Sequence, residues 1–273
     1  MRRDAFVGAR DSLSSRRLAE RMPRLFEHIV PGARVLDVGC GPGSITCDLA
    51  TCQVSPELVV GVDHSGALVA YAAEAARRDG IRNVLFLQGD ACALPLSDGL
   101  FDVTCSNALL DWLVDPVLAL KEQARVTRPG GIVFARMADL STQSFHPPCP
   151  ELRTLIEVLK RVARARFPDC HWDPFLGGSA VALFRAAGLE DIQVSGWADC
   201  FSSQRPDRMA SLTQGILRAA VTPPFTAQTR RALEFGWIEP ETLEKAAQQL
   251  EALIADPDGL SIRAGVFAWG SVS

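Results

Sequence analysis

From residue 33 onward, short unbroken apolar runs alternate with amphipathic ones, and that rhythm predicts the fold. "ARVLDVG" (33–39) reads as a strand and "SITCDLATC" (44–52) as a helix. "ELVVGVD" (57–63) is a strand, and "GALVAYAAEAARRDG" (66–80) a helix closed by Gly80. "NVLFLQGD" (83–90) and "FDVTCSNA" (101–108) are further strands, separated by a loop holding Pro95 and Gly99. In "DPVLALKEQARVTRPGG" (115–131), Asp115 is placed as cap and Pro116 in the first turn, so the stretch reads as a helix before the strand "GIVFARMAD" (131–139). Apolar strands alternating with helices in this way predict a parallel sheet covered on both faces.

Outside that rhythm the pattern changes. Residues 12–30 predict two short helices interrupted by Pro23, an N-terminal helical lid over 1–30. Beyond residue 140, "CPELRTLIEVLKRVARARF" (149–167) and "SAVALFRAAG" (179–188) predict helices, the second feeding the strand "LEDIQVSGWADCF" (189–201). Residues 206–257 read as helical throughout, before a last strand, "SIRAGVFAWGSV" (261–272). The expectation is one sheet domain over 31–273 with helical insertions at about 141–176 and 202–260. Neither insertion carries a Gly/Ser linker.

Composition narrows the class. The 273 residues are 48% hydrophobic, with five Trp and thirteen Phe, which argues for a well-filled core. A net charge of −4 gives no electrostatic reason to expect nucleic-acid binding, and "KRVARAR" (160–166) reads as a solvated helix face. Arg2 and Arg3 precede mixed polar residues, so no secretory signal is expected, and no window has the roughly 18 apolar residues of a membrane span. Eight cysteines without a CxxC pair read as reduced thiols, and a cytoplasmic protein is expected.

The chemistry gathers at strand ends. Gly39, Gly41 and Gly43 form G-x-G-x-G after the first strand, the place where doubly wound sheets bring backbone toward a ligand. The dinucleotide fingerprint asks for glycine or alanine where this chain has Ser44. Three acids stand at successive strand ends: Asp37, Asp63 and Asp90. Asp63 is placed to accept hydrogen bonds from ribose hydroxyls, and Asp90 from an exocyclic adenine amine. The alternative for each is a helix cap, but three beside one glycine turn point to one ligand. Asp37 repels a phosphate, so the acids favour a ligand with ribose, adenine and a cationic amine: S-adenosylmethionine.

The chain here resembles the class I S-adenosylmethionine-dependent methyltransferases, of the small-molecule type that includes ubiquinone/menaquinone-biosynthesis enzymes. The resemblance lies in "VLDVGCGPG" (35–43), "VVGVD" (59–63), "LQGDACALPLSDGLFDVTCSNALLDWLVDP" (87–116) and "ARVTRPGGIVF" (124–134). It implies a Rossmann-like seven-stranded sheet of order 3-2-1-4-5-7-6, strand 7 antiparallel. It also implies that Asp37, Gly39, Gly41 and Gly43 meet the methionine end of the cofactor, Asp63 the ribose, Asp90 the adenine amine, and the backbone at Ala91 the adenine ring. Ser106 and Asn107 would border the amino-acid moiety and the methyl group, and His64 would flank the adenosine. Many relatives carry histidine where this chain has Leu110 and Asp111, so a base assigned by analogy is missing.

Methyl transfer asks mainly for alignment and exclusion of water, with a base where the nucleophile must lose a proton. Asp111 and His146 are the candidate catalytic residues. Trp112 either walls the acceptor or packs in the core. His146, Cys149, Cys170 and His171 superficially resemble a zinc set, but their spacing matches no finger, and no metal is expected. Phe145, Trp172, Phe175, Trp197, Phe201, Met209 and Phe225 would line an apolar pocket, or fill the core of the extra helices. Arg16 and Arg17 would reach the cofactor's carboxylate or form surface charge, and the second reading is preferred. The expectation is a biosynthetic methyltransferase acting on oxygen, carbon or nitrogen of a small apolar or aromatic molecule. The partners expected are that methyl acceptor and a second copy of the chain, with no nucleic acid and no membrane span. The alternatives are a cofactor-binding protein without methyl transfer (a regulatory partner or a cofactor-assisted cyclase) and a methyltransferase for RNA or protein.

Overall fold

The computed structural model describes residues 14, 17–165, 167, 172–204 and 216–273. Arg16, Cys170, His171 and Met209 lie outside the described residues, as does all of 206–215. Eight strands of the described residues form one sheet: β1 (Arg34–Val38), β2 (Leu58–Asp63), β3 (Val84–Gln88), β4 (Phe101–Asn107), β5 (Thr127–Ala138), β6 (Ser144–His146), β7 (Glu190–Ser202) and β8 (Leu260–Ser271). Their order is β3-β2-β1-β4-β5-β8-β6, with β7 also pairing with β8. The first five strands run parallel. At the β5–β8 contact Gly130 donates to Val272 while Asp139 donates to Ala264, so β8 runs antiparallel to β5. The predicted 3-2-1-4-5-7-6 order therefore stands as 3-2-1-4-5-8-7. The shift in numbering comes from the short strand β6, whose three residues pair antiparallel with Ser261 and its neighbours.

The helices are α1 (Leu18–Arg21), α2 (Ser44–Ala50), α3 (Gly66–Arg78), α4 (Pro116–Val126), α5 (Pro150–Ala165), α6 (Ala180–Ala186), α7 (Ile216–Val221), α8 (Ala227–Glu234) and α9 (Pro240–Ala255). Local chemistry sets their ends. The Ser65 hydroxyl accepts from the Leu68 N–H to start α3, and Gly80, at φ +71°, receives the chain after it. Asp115 accepts from Leu118 to start α4, with Pro116 at its first position.

Two predicted boundaries move. Helix α4 stops at Val126 rather than running to Gly131. The Thr127 hydroxyl donates to the Gln123 carbonyl at 2.7 Å and meets Thr104 Oγ1 at 3.0 Å, turning the chain into β5, and Pro129 cannot extend a helix. The stretch 206–257 is not continuously helical either. Among the described residues α7, α8 and α9 are separated at Thr222–Thr226, which holds Pro223 and Pro224, and at Phe235–Glu239.

The chain divides into two compact units. The first comprises Met1–Met137, Ser179–Ser195 and Phe267–Ser273. Its core layer on one sheet face is Leu36, Val38, Val60, Val62, Leu94, Phe101 and Val126. The second comprises Ala138–Gly178 and Gly196–Val266. There α5 buries Leu152, Leu155, Ile156, Leu159 and Val162. Of the basic run on α5, Arg161 is not merely solvated: its guanidinium lies 3.9 Å from the ring centre of Trp237.

Candidate functional site

Strand β1 ends at Val38, and residues 39–43 turn the chain into α2. All three turn glycines have positive φ, yet for different reasons. A Cβ on Gly39 would lie 2.8 Å from Leu109 Cδ1, and one on Gly43 would lie 2.7 Å from Ala72 Cβ and 2.8 Å from Phe86. Those two glycines let the turn pack. Gly41, at φ +55°, faces open space with no atom within 4 Å of a built Cβ, so packing does not explain it. Every amide of the turn is satisfied within the fold. Gly39 and Cys40 donate to the Val62 carbonyl, Gly43 to Cys40, and Gly41 to Asp63 Oδ2 at 2.9 Å, while Pro42 has none to give. A pyrophosphate cradle needs free amides here, and this turn has none to offer.

Asp37 stands two residues before Gly39, and Asp63 bonds to the turn through Gly41. Asp37 is 2% exposed and accepts from the Thr46 hydroxyl at 2.7 Å. Burial lifts its carboxyl to about 6; the Thr46 bond opposes that rise and the charge of Asp63 adds to it. Asp63 accepts one N–H on each oxygen, from Gly41 and from Ser65, both at 2.9 Å. A carboxylate has about four acceptor positions, so capacity remains on both oxygens. His64 Nδ1 stands 3.3 Å from Asp63 Oδ1, with its side chain half exposed. Asp90 is exposed, and its Oδ1 accepts from the Cys92 N–H at 2.8 Å; Ala91 packs against the core layer. Asp63 and Asp90 thus accept from backbone amides and Asp37 from a helix hydroxyl, but none is used up by it.

The end of β4 completes this edge. Ser106 and Asn107 are buried, and Ser106 Oγ and Asn107 Oδ1 have no hydrogen-bond partner among the described residues. Buried polar atoms are rarely left so, and a bound ligand's donors and acceptors are the ordinary remedy. The next residue, Ala108, sits at φ +52°, strained backbone for a side chain with a Cβ. Its N–H donates to the carbonyl of Arg136, which faces Asn107 in the β4–β5 register. A short 3-10 turn, Leu110–Trp112, follows, with Asp111 buried and Trp112 half-buried. The donor set fits an adenosine carrying a cationic sulfonium: ribose acceptors on Asp63, a buried carboxyl at Asp37, and unsatisfied groups on Ser106 and Asn107.

Sequence reasoning missed Thr46, Ala108 and Arg136. Thr46 and Arg136 lie on a helix and a strand whose patterns read as packing, and a strained alanine carries no sequence signal. Arg136 is 5% exposed at the same end of the sheet; an arginine inside an apolar strand was the available clue. Burial pushes the Cys40 and Cys105 thiols near this edge well up, away from the reactive thiolate.

His146 belongs to the second unit, exposed on β6. Of the residues named for a pocket, Trp172 and Phe201 are buried inside that unit, while Phe145, Phe175, Trp197 and Phe225 are half-buried. Trp172 is buried with its carbonyl accepting from Gln228, Phe201 lies under Arg263, and Phe175 lies near Lys160. Arg17, at the start of α1, is exposed and donates to the Ser14 carbonyl.

A family profile described as a methyltransferase domain matches residues 36–135, from β1 into β5. A demethylmenaquinone methyltransferase of Mycobacterium sp. (strain KMS) is 36% identical over 202 residues, covering 72% of this chain and 79% of that protein. An uncharacterized methyltransferase of Schizosaccharomyces pombe is 36% identical over 144 residues. That match covers 50% of this chain, which thus spans about half the length of the yeast protein, 51%. In three dimensions the YcgJ protein of Bacillus subtilis aligns over 92% of this chain and 97% of its own, with a TM-score of 0.57 at 19% identity, a likeness of fold.

Proposed function

The chain belongs to the class I S-adenosylmethionine-dependent methyltransferases, and from that premise we propose that it methylates a small, apolar or aromatic organic molecule. The observation that carries this reading is the contrast at the β1–α2 turn. Its amides are satisfied internally, while buried acids and orphaned polar atoms stand around it. Such an edge favours a cationic nucleoside over a phosphate.

Bound cofactor supplies an electrophilic methyl group on a sulfonium. The chain's part is to hold it and to align the acceptor. Asp63 accepts from the ribose hydroxyls with the capacity left on its two oxygens, and His64 flanks the same group. Asp90 accepts from the adenine amine beside the Ala91 backbone. Asp37, Gly39, Gly41 and Gly43 enclose the amino-acid end, and Asp37 becomes fully ionised when a cation approaches it. Ser106 and Asn107 satisfy their unpartnered atoms on the same moiety. Asp111, on the turn after β4, takes the proton of an acceptor hydroxyl, amine or activated carbon; His146 is the other candidate base.

The acceptor class rests on the 36% identity to a demethylmenaquinone methyltransferase. The test is transfer of a labelled methyl group from S-adenosylmethionine to a panel of hydroxy-aromatic and quinol acceptors, with RNA and protein as comparators. Label appearing in a small lipophilic product supports the reading. Label confined to RNA or protein would overturn it. Repeating the assay with Asp111→Asn and His146→Gln identifies the base, through loss of turnover together with the acid limb of the pH–rate profile.

A further inference from the structure

Strand β3 is the outer strand of the sheet on its side, paired among the described residues with β2 alone. Natural sheets protect such edges with lysine, proline or a bulge. The five residues of β3, Val84-Leu85-Phe86-Leu87-Gln88, contain no charge and no proline. Their burial runs against expectation too. Leu85 is 54% exposed and Leu87 36%. These leucines pair in register with Val60 and Val62, so they continue the apolar layer of Leu36, Val38, Val60 and Val62 out to the solvent edge. Phe86 points the other way, filling the space that Gly43 and Gly61 leave.

The direction of the peptide groups is also fixed. Asn83 accepts from Val59, and Gly89 donates to Asp63, so the odd-numbered residues aim their peptide groups at β2. Val84, Phe86 and Gln88 consequently aim theirs at the open edge. A strand that pairs with this edge must present its own outward residues opposite these three.

We propose that the open edge of β3 is the dimer interface of this protein, two copies joining antiparallel about a two-fold axis at Phe86. In that register Val84 faces the partner's Gln88, and Phe86 faces the partner's Phe86, each a hydrogen-bonding pair. Leu85 faces the partner's Leu87, and by symmetry the reverse, in the close non-hydrogen-bonded positions where side chains meet best. Just beyond the strand, exposed Arg82 falls opposite the partner's Asp90, twice. The same five residues thus give matched peptide groups, two apolar pairs and two opposite-charge pairs when set against themselves. A two-fold interface asks for that self-complementarity. It also commits the edge to one occupant, because a lysine-rich or acidic partner strand would leave Leu85 and Leu87 uncovered.

The experiment is light scattering on the size-excluded full-length chain at tens of micromolar. The wild type is expected at twice the monomer mass. Val84→Pro deletes an outward amide without touching the β2 ladder, and Leu85→Lys sets a charge on each leucine pair. Both are expected at monomer mass and still to bind S-adenosylmethionine, which shows that they fold. A mixture of Leu85→Cys and Leu87→Cys chains, mildly oxidised, is expected to form a disulfide-linked dimer, whereas neither chain alone does. That readout introduces no charge or proline, so it judges the register even where Leu85→Lys fails to fold. A monomeric wild type, a dimer that survives Val84→Pro, or no cross-link in the mixture overturns the proposal.

Discussion

Buried polar groups are treated differently in the second unit and at the β1–β2–β4 edge of the first. In the second, Gln143 hydrogen-bonds to the Ser261 hydroxyl, which in turn donates to the Ser144 carbonyl. The Thr229 hydroxyl donates to the Ala220 carbonyl at 3.0 Å, and Gln228 reaches the Trp172 carbonyl. Those groups hold helices and strands in place. At the edge of β1, β2 and β4 in the first unit, Ser106 Oγ and Asn107 Oδ1 have no partner among the described residues, Asp37 sits buried with its carboxyl raised to about 6, and Ala108 is strained. What separates this edge from a scaffold is the gathering of unanswered polar atoms, a raised carboxyl and strained backbone in one place.

The largest test of that contrast is Asp63→Ala. Removing two charge-assisted hydrogen bonds to the ribose should weaken S-adenosylmethionine about 100-fold by isothermal titration, taking roughly 1.5 kcal/mol for each. An unchanged dissociation constant removes the ribose role. Thermal unfolding should show a loss as well, since the Gly41 and Ser65 amides lose their acceptor.

Asp37 gives the next effect, and its sign is fixed by the direction of the shift. The folded carboxyl, raised from 3.8 to about 6, holds its proton more tightly than the unfolded one. Asp37 therefore stabilises the free protein most below about pH 4, and that contribution is lost as pH rises toward 6. Cofactor binding runs the other way, because a cation favours the ionised form. Affinity should rise roughly tenfold from pH 5 to pH 7 and then level off. Both slopes should vanish in Asp37→Asn; a slope that survives in that variant assigns it to another group.

The smallest effects come as a matched pair. Ser106→Ala deletes a hydroxyl that bonds to nothing among the described residues, so stability should hold or rise slightly while affinity or turnover falls a few-fold. Thr229→Val deletes a hydroxyl that bonds to a carbonyl, so stability should fall by about 1 kcal/mol with affinity unchanged. If the two variants behave alike in denaturant and in titration, the distinction between the units fails.

Much of the first unit was legible because its signals are local. The apolar runs at 34–38, 58–63 and 101–107 are buried almost throughout, so their pattern showed strands without alternation. Asp115, Pro116 and Gly80 marked helix ends through bonds that reach only three or four residues. The β4–β5 region was read less well. The Thr127 hydroxyl ends α4 against Thr104, a residue 23 positions earlier that no window of sequence contains. In the second unit the aromatics were read as a pocket lining or a core, and the choice needed their neighbours. Arg161 on Trp237 and Arg263 over Phe201 are pairings between distant segments.

The sequence by itself determined the order of the elements, the glycine turn, and the three acids at neighbouring strand ends, because backbone periodicity and turn chemistry act over a few residues. Only the tertiary structure decided what each does there. It set Leu109 and Phe86 against Gly39 and Gly43 and left Gly41 facing open space. It buried Asp37 until its carboxyl rose, and it left Ser106 and Asn107 with polar atoms unanswered. Desolvation and hydrogen-bond satisfaction depend on what surrounds an atom in space, and that becomes definite only when the chain has closed around it.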